Sequence, residues 1–115
     1  MQQIPILTLS LVAAAAIPGD RFFGLDGQLA NADEAAWGVN EFLTAPGKPA
    51  AVKVLGTAKV QVGAPVAPGQ LVKSDAVGRA IPRGAAGAVL GRAITGSNNV
   101  DGVIEIFLLP TDAAA

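Results

Sequence analysis

The chain contains a degenerate copy of itself, and this duplication limits the folds that it can adopt. The segment Ile17–Asp20, which holds a Pro-Gly pair, matches Ala67–Gln70, and a short apolar stretch and a glycine turn follow in both places. The spacing between the copies grows slightly towards Gly38 and Gly91, so small loop insertions separate them. Because a solenoid needs about three repeats or more, two copies predict a single pseudo-symmetric domain.

Length and composition set the fold class. A chain of 115 residues is the size of one domain and buries roughly two thirds of its unfolded surface. Fourteen glycines and eight prolines favour many short strands over long helices. We predict a mainly β, compact, barrel-like or sandwich-like domain of two pseudo-repeats, with at most one short helix. The expected boundaries are an N-terminal arm and first strand over 1–14 and a single β domain over 15–115, with pseudo-repeats at about 15–56 and 65–109.

The N-terminal apolar run from Ile4 to Ile17 has two other interpretations. A secretory signal needs a positively charged start, but no Lys or Arg precedes Arg21. The run is also too short to span a bilayer, which takes about 18 residues or more. We therefore interpret it as an extended arm and first strand, whose side chains alternate between two faces.

Turn residues predict where strands start, bend and reverse. Pro18-Gly19 and Pro68-Gly69 fit the central positions of type II turns, in which proline presets φ and glycine accepts a positive φ. Asp26-Gly27 predicts a type I′ hairpin. Gly56 interrupts an alternating strand and predicts a bulge or a bend.

The sequence also predicts a short helix, a buried strand and the environment of the tryptophan. Asn31–Ala36 predicts one short helix, with Asn31 as N-cap and Glu34 in the capping-box position. The nearly continuous apolar stretch Gly102–Leu109 predicts a strand that is central or buried on both faces. Trp37, the single tryptophan, is interpreted as a core anchor, with an interface hot spot as the alternative.

Composition excludes most catalytic and nucleic-acid-binding chemistry. The chain has no His, Cys or Tyr, so it lacks the usual general base, the thiol nucleophile and the commonest transition-metal ligands. The acidic residues fit turn and capping positions. With a formal net charge of −1, there is no basic stripe to neutralise phosphates. We predict no enzyme activity, no catalytic, cofactor-binding or metal-binding residues, and neither nucleic acid nor membrane as a partner.

Motifs in the second half of the chain resemble a known family. Gly69, Val72, Ser74, Asp75, Gly78 and Arg79 fall on a G-x-x-V-x-S-D-x-x-G-R hairpin pattern, and Leu90–Ile94 falls on an I-G-x-A-L strand pattern. Both patterns are typical of the small capsid decoration, or cement, proteins of tailed bacteriophages. The first half resembles them more loosely through Ile17–Gly19, Asp26-Gly27 and Trp37–Val39.

The resemblance implies a structural virion protein. Such a protein is made in the host cytoplasm, binds the outer surface of the assembled capsid and stabilises it by bridging subunits of the major capsid protein, here as a dimer or trimer. The N-terminal strand is then expected to pair with an exposed sheet edge of a capsid subunit. The candidate capsid-interface residues are Ile4, Ile6, Leu7, Leu9 and Leu11.

Two other functions stay open at the level of sequence. A secreted β binding module for carbohydrate or peptide would need a cleaved N-terminus and an aromatic platform, yet aromatic residues make up only 4% of the chain. A biotinyl-like or lipoyl-like domain would share a duplicated β layout and present a lysine at a hairpin tip. Lys73 lacks the flanking methionines that are usual in that class.

Overall fold

The computed structural model describes residues 4–109 and folds them into eight β-strands, with no helix in that range. The prediction of a mainly β fold is confirmed. The first three residues of the predicted arm and residues 110–115 of the predicted domain lie outside the described residues. The strands are β1 (Pro5–Val12), β2 (Arg21–Gly24), β3 (Ala36–Asn40), β4 (Pro49–Gln61), β5 (Leu71–Ser74), β6 (Ala80–Pro82), β7 (Gly91–Ala93) and β8 (Val103–Leu108).

A single path of hydrogen-bonded strands runs β2-β3-β4-β8-β7-β5-β6, and β1 pairs with β4 beside this path. The long strand β4 joins the two halves of the chain: its first part pairs with β1 and β3, and its residues 57–61 pair with β8. Gly56, which has a φ of 95°, lies between these two parts and confirms the predicted bend. The strands curl into a nearly closed, barrel-like globule of 35 × 30 × 24 Å.

The two halves contain the same hairpin. One hairpin spans residues 24–28 and the other spans 75–79, and in each the N–H of the first residue donates to the carbonyl of the last, at 2.7 and 2.8 Å. The fourth residue of each is a left-handed glycine, Gly27 with φ 84° and Gly78 with φ 77°. Asp26 is not left-handed, so the predicted hairpin is in the right place but is a type I turn followed by a glycine bulge.

The two halves also share a corner between their last two strands. Ile17 and Thr44 exchange both backbone hydrogen bonds at 2.9 Å in the first half, and Val66 and Ser97 exchange both at 2.9 Å in the second. The matched bonding shows that these two corners have the same backbone arrangement, although few side chains are shared.

The Pro-Gly turn of the first half differs from the prediction. Asp20, and not Gly19, is the left-handed residue, with φ 58°, whereas Gly69 is left-handed as predicted, with φ 89°. The N–H of Asp20 donates to the Asn40 carbonyl and that of Gly69 to the Ala93 carbonyl, both at 2.8 Å. Asp20 is therefore the structural counterpart of Gly69, and the first turn is shifted by one residue from the match at the prolines.

The short helix predicted over Asn31–Ala36 is wrong. The backbone N–H of Glu34 donates to the Asn31 carbonyl at 3.2 Å, and the Glu34 carboxylate accepts the Asn31 N–H at 3.1 Å. Only the second bond belongs to a capping box; the first is the backbone hydrogen bond of a single turn. The chain does not continue as a helix, because Asp33 is left-handed with φ 65° and Ala36 already starts β3. The pairing of β3 with β2 and β4 competes with the local helix signal. A helix of one turn is too short to be stable by itself.

Two apolar cores hold the strands together. The main core lies along the inner face of the second half and reaches into the first; the smaller one lies under the first part of β4. The members of the main core larger than alanine are Phe22, Val39, Val60, Val62, Val66, Val72, Leu90, Ile104, Ile106 and Leu108. The members of the smaller core are Ala13, Ile17, Phe23, Ala50 and Val52, with Leu11, Leu29 and Val54 packed against it.

Candidate docking surface

β1 is an edge strand that is suited to pairing with another chain. It pairs with β4, from Val12 opposite Pro49 to Pro5 opposite Gly56, and no other strand pairs with it within residues 4–109. An unpaired edge presents a row of backbone N–H and C=O groups, and proteins usually protect such edges with charged side chains. β1 has no charged residue, so its outer edge lacks that protection.

The five residues predicted from sequence to form the interface do not share one environment. Ile4, Ile6 and Leu7 are 60%, 76% and 43% exposed. Leu9 and Leu11 are half-buried, because Leu9 lies opposite Val52 and Leu11 packs against the smaller core. The structure thus places Ile4, Ile6 and Leu7 on the surface, whereas Leu9 and Leu11 help to hold the strand against the sheet.

The exposed end of β1 continues into the outer face of β8. Thr57 is bonded to Ile4 by two hydrogen bonds, from the Thr57 N–H to the Ile4 carbonyl at 3.0 Å and from the Ile4 N–H to Thr57 Oγ1 at 2.7 Å. Thr57 lies directly opposite Phe107, which is 48% exposed. Since cross-strand partners point to the same face of a sheet, Phe107 extends the exposed apolar surface beyond β1. β8 is a central strand as predicted, lying between β4 and β7.

Sequence reasoning missed other exposed apolar side chains. Trp37 was expected to be a buried anchor, but it is 48% exposed and its Nε1 lies 3.4 Å from the Leu25 carbonyl. Phe42 and Leu43 are 64% and 76% exposed in the loop between β3 and β4. The available signal was their position just before the proline-rich stretch 44–49, a composition that favours a surface loop.

The hairpin motif that carries the resemblance has a structural role. The Asp75 carboxylate accepts the backbone N–H groups of Val77 and Arg79, both at 2.9 Å, and the Arg79 guanidinium at 2.9 Å. Arg79 also donates to Asp101 at 2.9 Å, and these hydrogen bonds raise the pKa of Arg79 above its ordinary value. Ser74 is fully buried, with Oγ 3.2 Å from the Ala30 carbonyl. The motif therefore builds and holds the hairpin.

Lys53 is the one fully buried lysine among the described residues. Burial lowers the pKa of Lys53 from its ordinary value of 10.5, and the charges of Glu41 and Asp20 offset this only in part. The side chain is fully buried, so it offers no direct access to a substrate.

Surface hollows are present among the described residues. One hollow of about 380 Å³ is lined by residues 25–26 and 33–35, and another of about 290 Å³ is lined by 66–68 and 96–98. In the range 4–109, no three His, Cys, Asp or Glu residues lie close enough together to hold a metal ion. Within the same range, no helix is long and apolar enough to cross a membrane.

Comparisons with known proteins agree with the resemblance. The chain is similar in structure to the crystal structure of the head fiber gp8.5 N base of bacteriophage phi29, with a TM-score of 0.73 and 14% sequence identity, over 90% of this chain and 93% of that chain. No curated protein sequence matches the chain. The family model for phage cement proteins matches residues 1–108. The chain therefore belongs to the phage cement protein family and is a structural component of the virion's capsid.

Proposed function

We propose that the protein binds the outer surface of the assembled phage capsid and stabilises it by bridging neighbouring subunits of the major capsid protein. The observation that supports this most directly is the free, uncharged edge of β1, next to the exposed side chains of Ile4, Ile6 and Leu7. In this proposal, β1 pairs with a strand of a capsid subunit: backbone hydrogen bonds give affinity, and alternate side chains give specificity.

The proposed mechanism is thermodynamic linkage and needs no catalytic step. A protein that binds the assembled lattice but not the free subunit shifts the equilibrium towards the lattice. Because a head offers many equivalent sites, the small contribution of each contact adds up over the shell. We also propose that the protein acts as a dimer or trimer, because each added copy presents a further β1 edge to the capsid surface.

The test is cosedimentation of the purified protein with heads assembled without it, combined with light scattering to give its mass in solution. Saturable binding at a fixed ratio to the capsid subunits, with an increase in the temperature at which heads disassemble, is expected. An absence of binding by a protein that is monomeric in solution would reject the proposal that it binds the assembled capsid and bridges its subunits.

Point substitutions are better suited than truncation to test the edge of β1. Deleting β1 would remove a strand that pairs along the first part of β4 and contributes Leu11 to the smaller core. The double substitution Ile4→Ser and Ile6→Ser changes only exposed side chains. It should weaken binding to heads by about 30-fold, the effect of losing one interface hot spot of about 2 kcal/mol. Unchanged affinity would rule out this end of β1 as the contact.

A further inference from the structure

The corner between β3 and β4 has the same backbone hydrogen bonds as the corner between β7 and β8. The second corner therefore shows which residues of the first are needed for its backbone arrangement. In addition to the Ile17–Thr44 and Val66–Ser97 pairs, a left-handed residue closes each loop. The N–H of Gly47, with φ 79°, donates to the Ala13 carbonyl at 2.7 Å. The N–H of Asp101, with φ 66°, donates to the Val62 carbonyl at 2.8 Å.

The two corners differ in the residues at their tips. Phe42 and Leu43 precede Thr44 in the first corner, whereas Thr95 and Gly96 precede Ser97 in the second. The second corner makes the same backbone hydrogen bonds without a large apolar side chain at these two positions. Folding therefore does not require Phe42 and Leu43 to be apolar, and they remain 64% and 76% exposed.

The first corner also has a buried amide that the second lacks. Asn40 is fully buried, and its Nδ2 lies 3.2 Å from the Ile17 carbonyl, 3.1 Å from that of Pro18 and 2.6 Å from that of Phe42. Thr44 Oγ1 donates to the same Phe42 carbonyl at 2.9 Å. The counterpart of Asn40 in the second corner is Ala93, judged from the matching hydrogen bonds of Asp20 and Gly69 described above.

We propose that Phe42 and Leu43 form a rigid apolar knob that inserts into an apolar pocket on a capsid subunit, as a second contact separate from the edge of β1. This proposal rests on the proposed function. The side-chain hydrogen bonds of Asn40 and Thr44 hold the backbone of the knob before binding, which reduces the entropy lost on docking. The two contacts together let one copy touch two places on the capsid surface, as bridging requires.

The size of the knob favours a capsid subunit over a second copy as its partner. The exposed parts of the two side chains amount to roughly 250 Å², whereas a stable protein–protein interface buries about 800 Å² on each partner. A surface this small cannot hold two free copies together. It is sufficient as one of several contacts on a lattice, where binding through β1 raises the effective concentration of the knob.

The test compares two double variants in cosedimentation with undecorated heads. Phe42→Ser with Leu43→Ser removes the knob; the control, Leu25→Ser with Val100→Ser, changes two side chains in other loops that are each 55% exposed. Thermal unfolding establishes that both variants are folded, and light scattering gives their mass. We expect the knob variant to bind about 30-fold more weakly, with an unchanged solution mass, and the control to bind like the wild type.

The outcomes separate the knob from the proposed function. If wild type, control and knob variant bind equally, the knob proposal is wrong and the capsid-binding function stands. If the wild type does not bind heads, the proposed function fails and the knob proposal with it. If the knob variant loses affinity but also falls to a smaller solution mass, the partner is a second copy, which overturns the assignment to a capsid subunit.

Discussion

The substitution Asn40→Asp tests whether the buried amide holds the first corner together. It keeps the shape of the side chain, so no cavity forms, but it replaces the Nδ2 donor that faces the carbonyls of Ile17, Pro18 and Phe42 with an oxygen. An amide has two protons, so at most two full hydrogen bonds are lost, at about 1–1.5 kcal/mol each. Buried carbonyls left without a donor bring the expected loss in the free energy of unfolding to about 3–4 kcal/mol at pH 7.

Urea denaturation followed by tryptophan fluorescence measures this loss, and thermal unfolding should show a decrease in Tm of roughly 12–16 °C for a domain of this size. The pH dependence gives a second readout. Burial among carbonyl oxygens raises the pKa of the introduced carboxyl above its unfolded value, so the unfolded variant releases its proton first. The stability of the variant, relative to wild type, should therefore fall as the pH rises from about 4.

The control is Asn98→Ala, which changes an exposed asparagine of the second corner and should alter the free energy of unfolding by less than about 0.5 kcal/mol. A loss below about 1 kcal/mol in the Asn40 variant, with no difference in pH dependence from wild type, would show that these contacts do not hold the corner. The rigidity argument for the Phe42–Leu43 knob would then lose its basis.

Three further predictions concern the sheet, the buried lysine and the loop turn. Gly38→Ala should lower the free energy of unfolding by about 2–3 kcal/mol, because the new Cβ would overlap the Lys53 carbonyl oxygen. Urea titration measures this loss, and an unchanged midpoint would contradict the close packing of β3 against β4. Since the pKa of Lys53 is below 10.5 in the folded state, the unfolded chain binds more protons, and stability should rise with pH towards 10.5. Lys53→Met should remove this rise, and identical pH profiles would refute it. Gly47→Val should cost about 1–2 kcal/mol at its positive φ, whereas Gly47→Asp should be nearly neutral because Asp101 holds the matching position; equal thermal stabilities would argue against the match.

Local turn chemistry was predictable because it depends on a few adjacent residues. The hairpin at Asp26-Gly27, the bend at Gly56 and the left-handed Gly69 lie where the sequence predicted them. The predicted turn conformation was wrong where contacts with residues far away in the chain determine the backbone. At Gly19 a Cβ would lie 2.9 Å from the Glu41 carbonyl oxygen, so a glycine is needed here because the segment around Glu41 packs closely against it. The residue with the positive φ is Asp20.

The candidate surface was predictable only in part. The alternating apolar pattern of β1 indicated a strand, and the resemblance to cement proteins made this strand an interface candidate. The pattern could not show that Leu9 and Leu11 face inward while Ile4 and Ile6 face solvent. It also could not show that Trp37 and Phe42 are exposed, because a single aromatic residue fits a core and an interface equally well.

By itself, the sequence determined the β class, the duplicated halves and the absence of histidine and cysteine chemistry, because composition, glycine and proline positions and strand alternation act locally. Only the tertiary structure decided that β4 passes through both halves, that β1 is left as a free edge, and that one corner of the pair presents Phe42 and Leu43 to solvent. Those features depend on strand register and on contacts between residues far apart in the chain. A shift of register by one residue exchanges the buried and exposed faces of a strand, and the local sequence does not encode that choice.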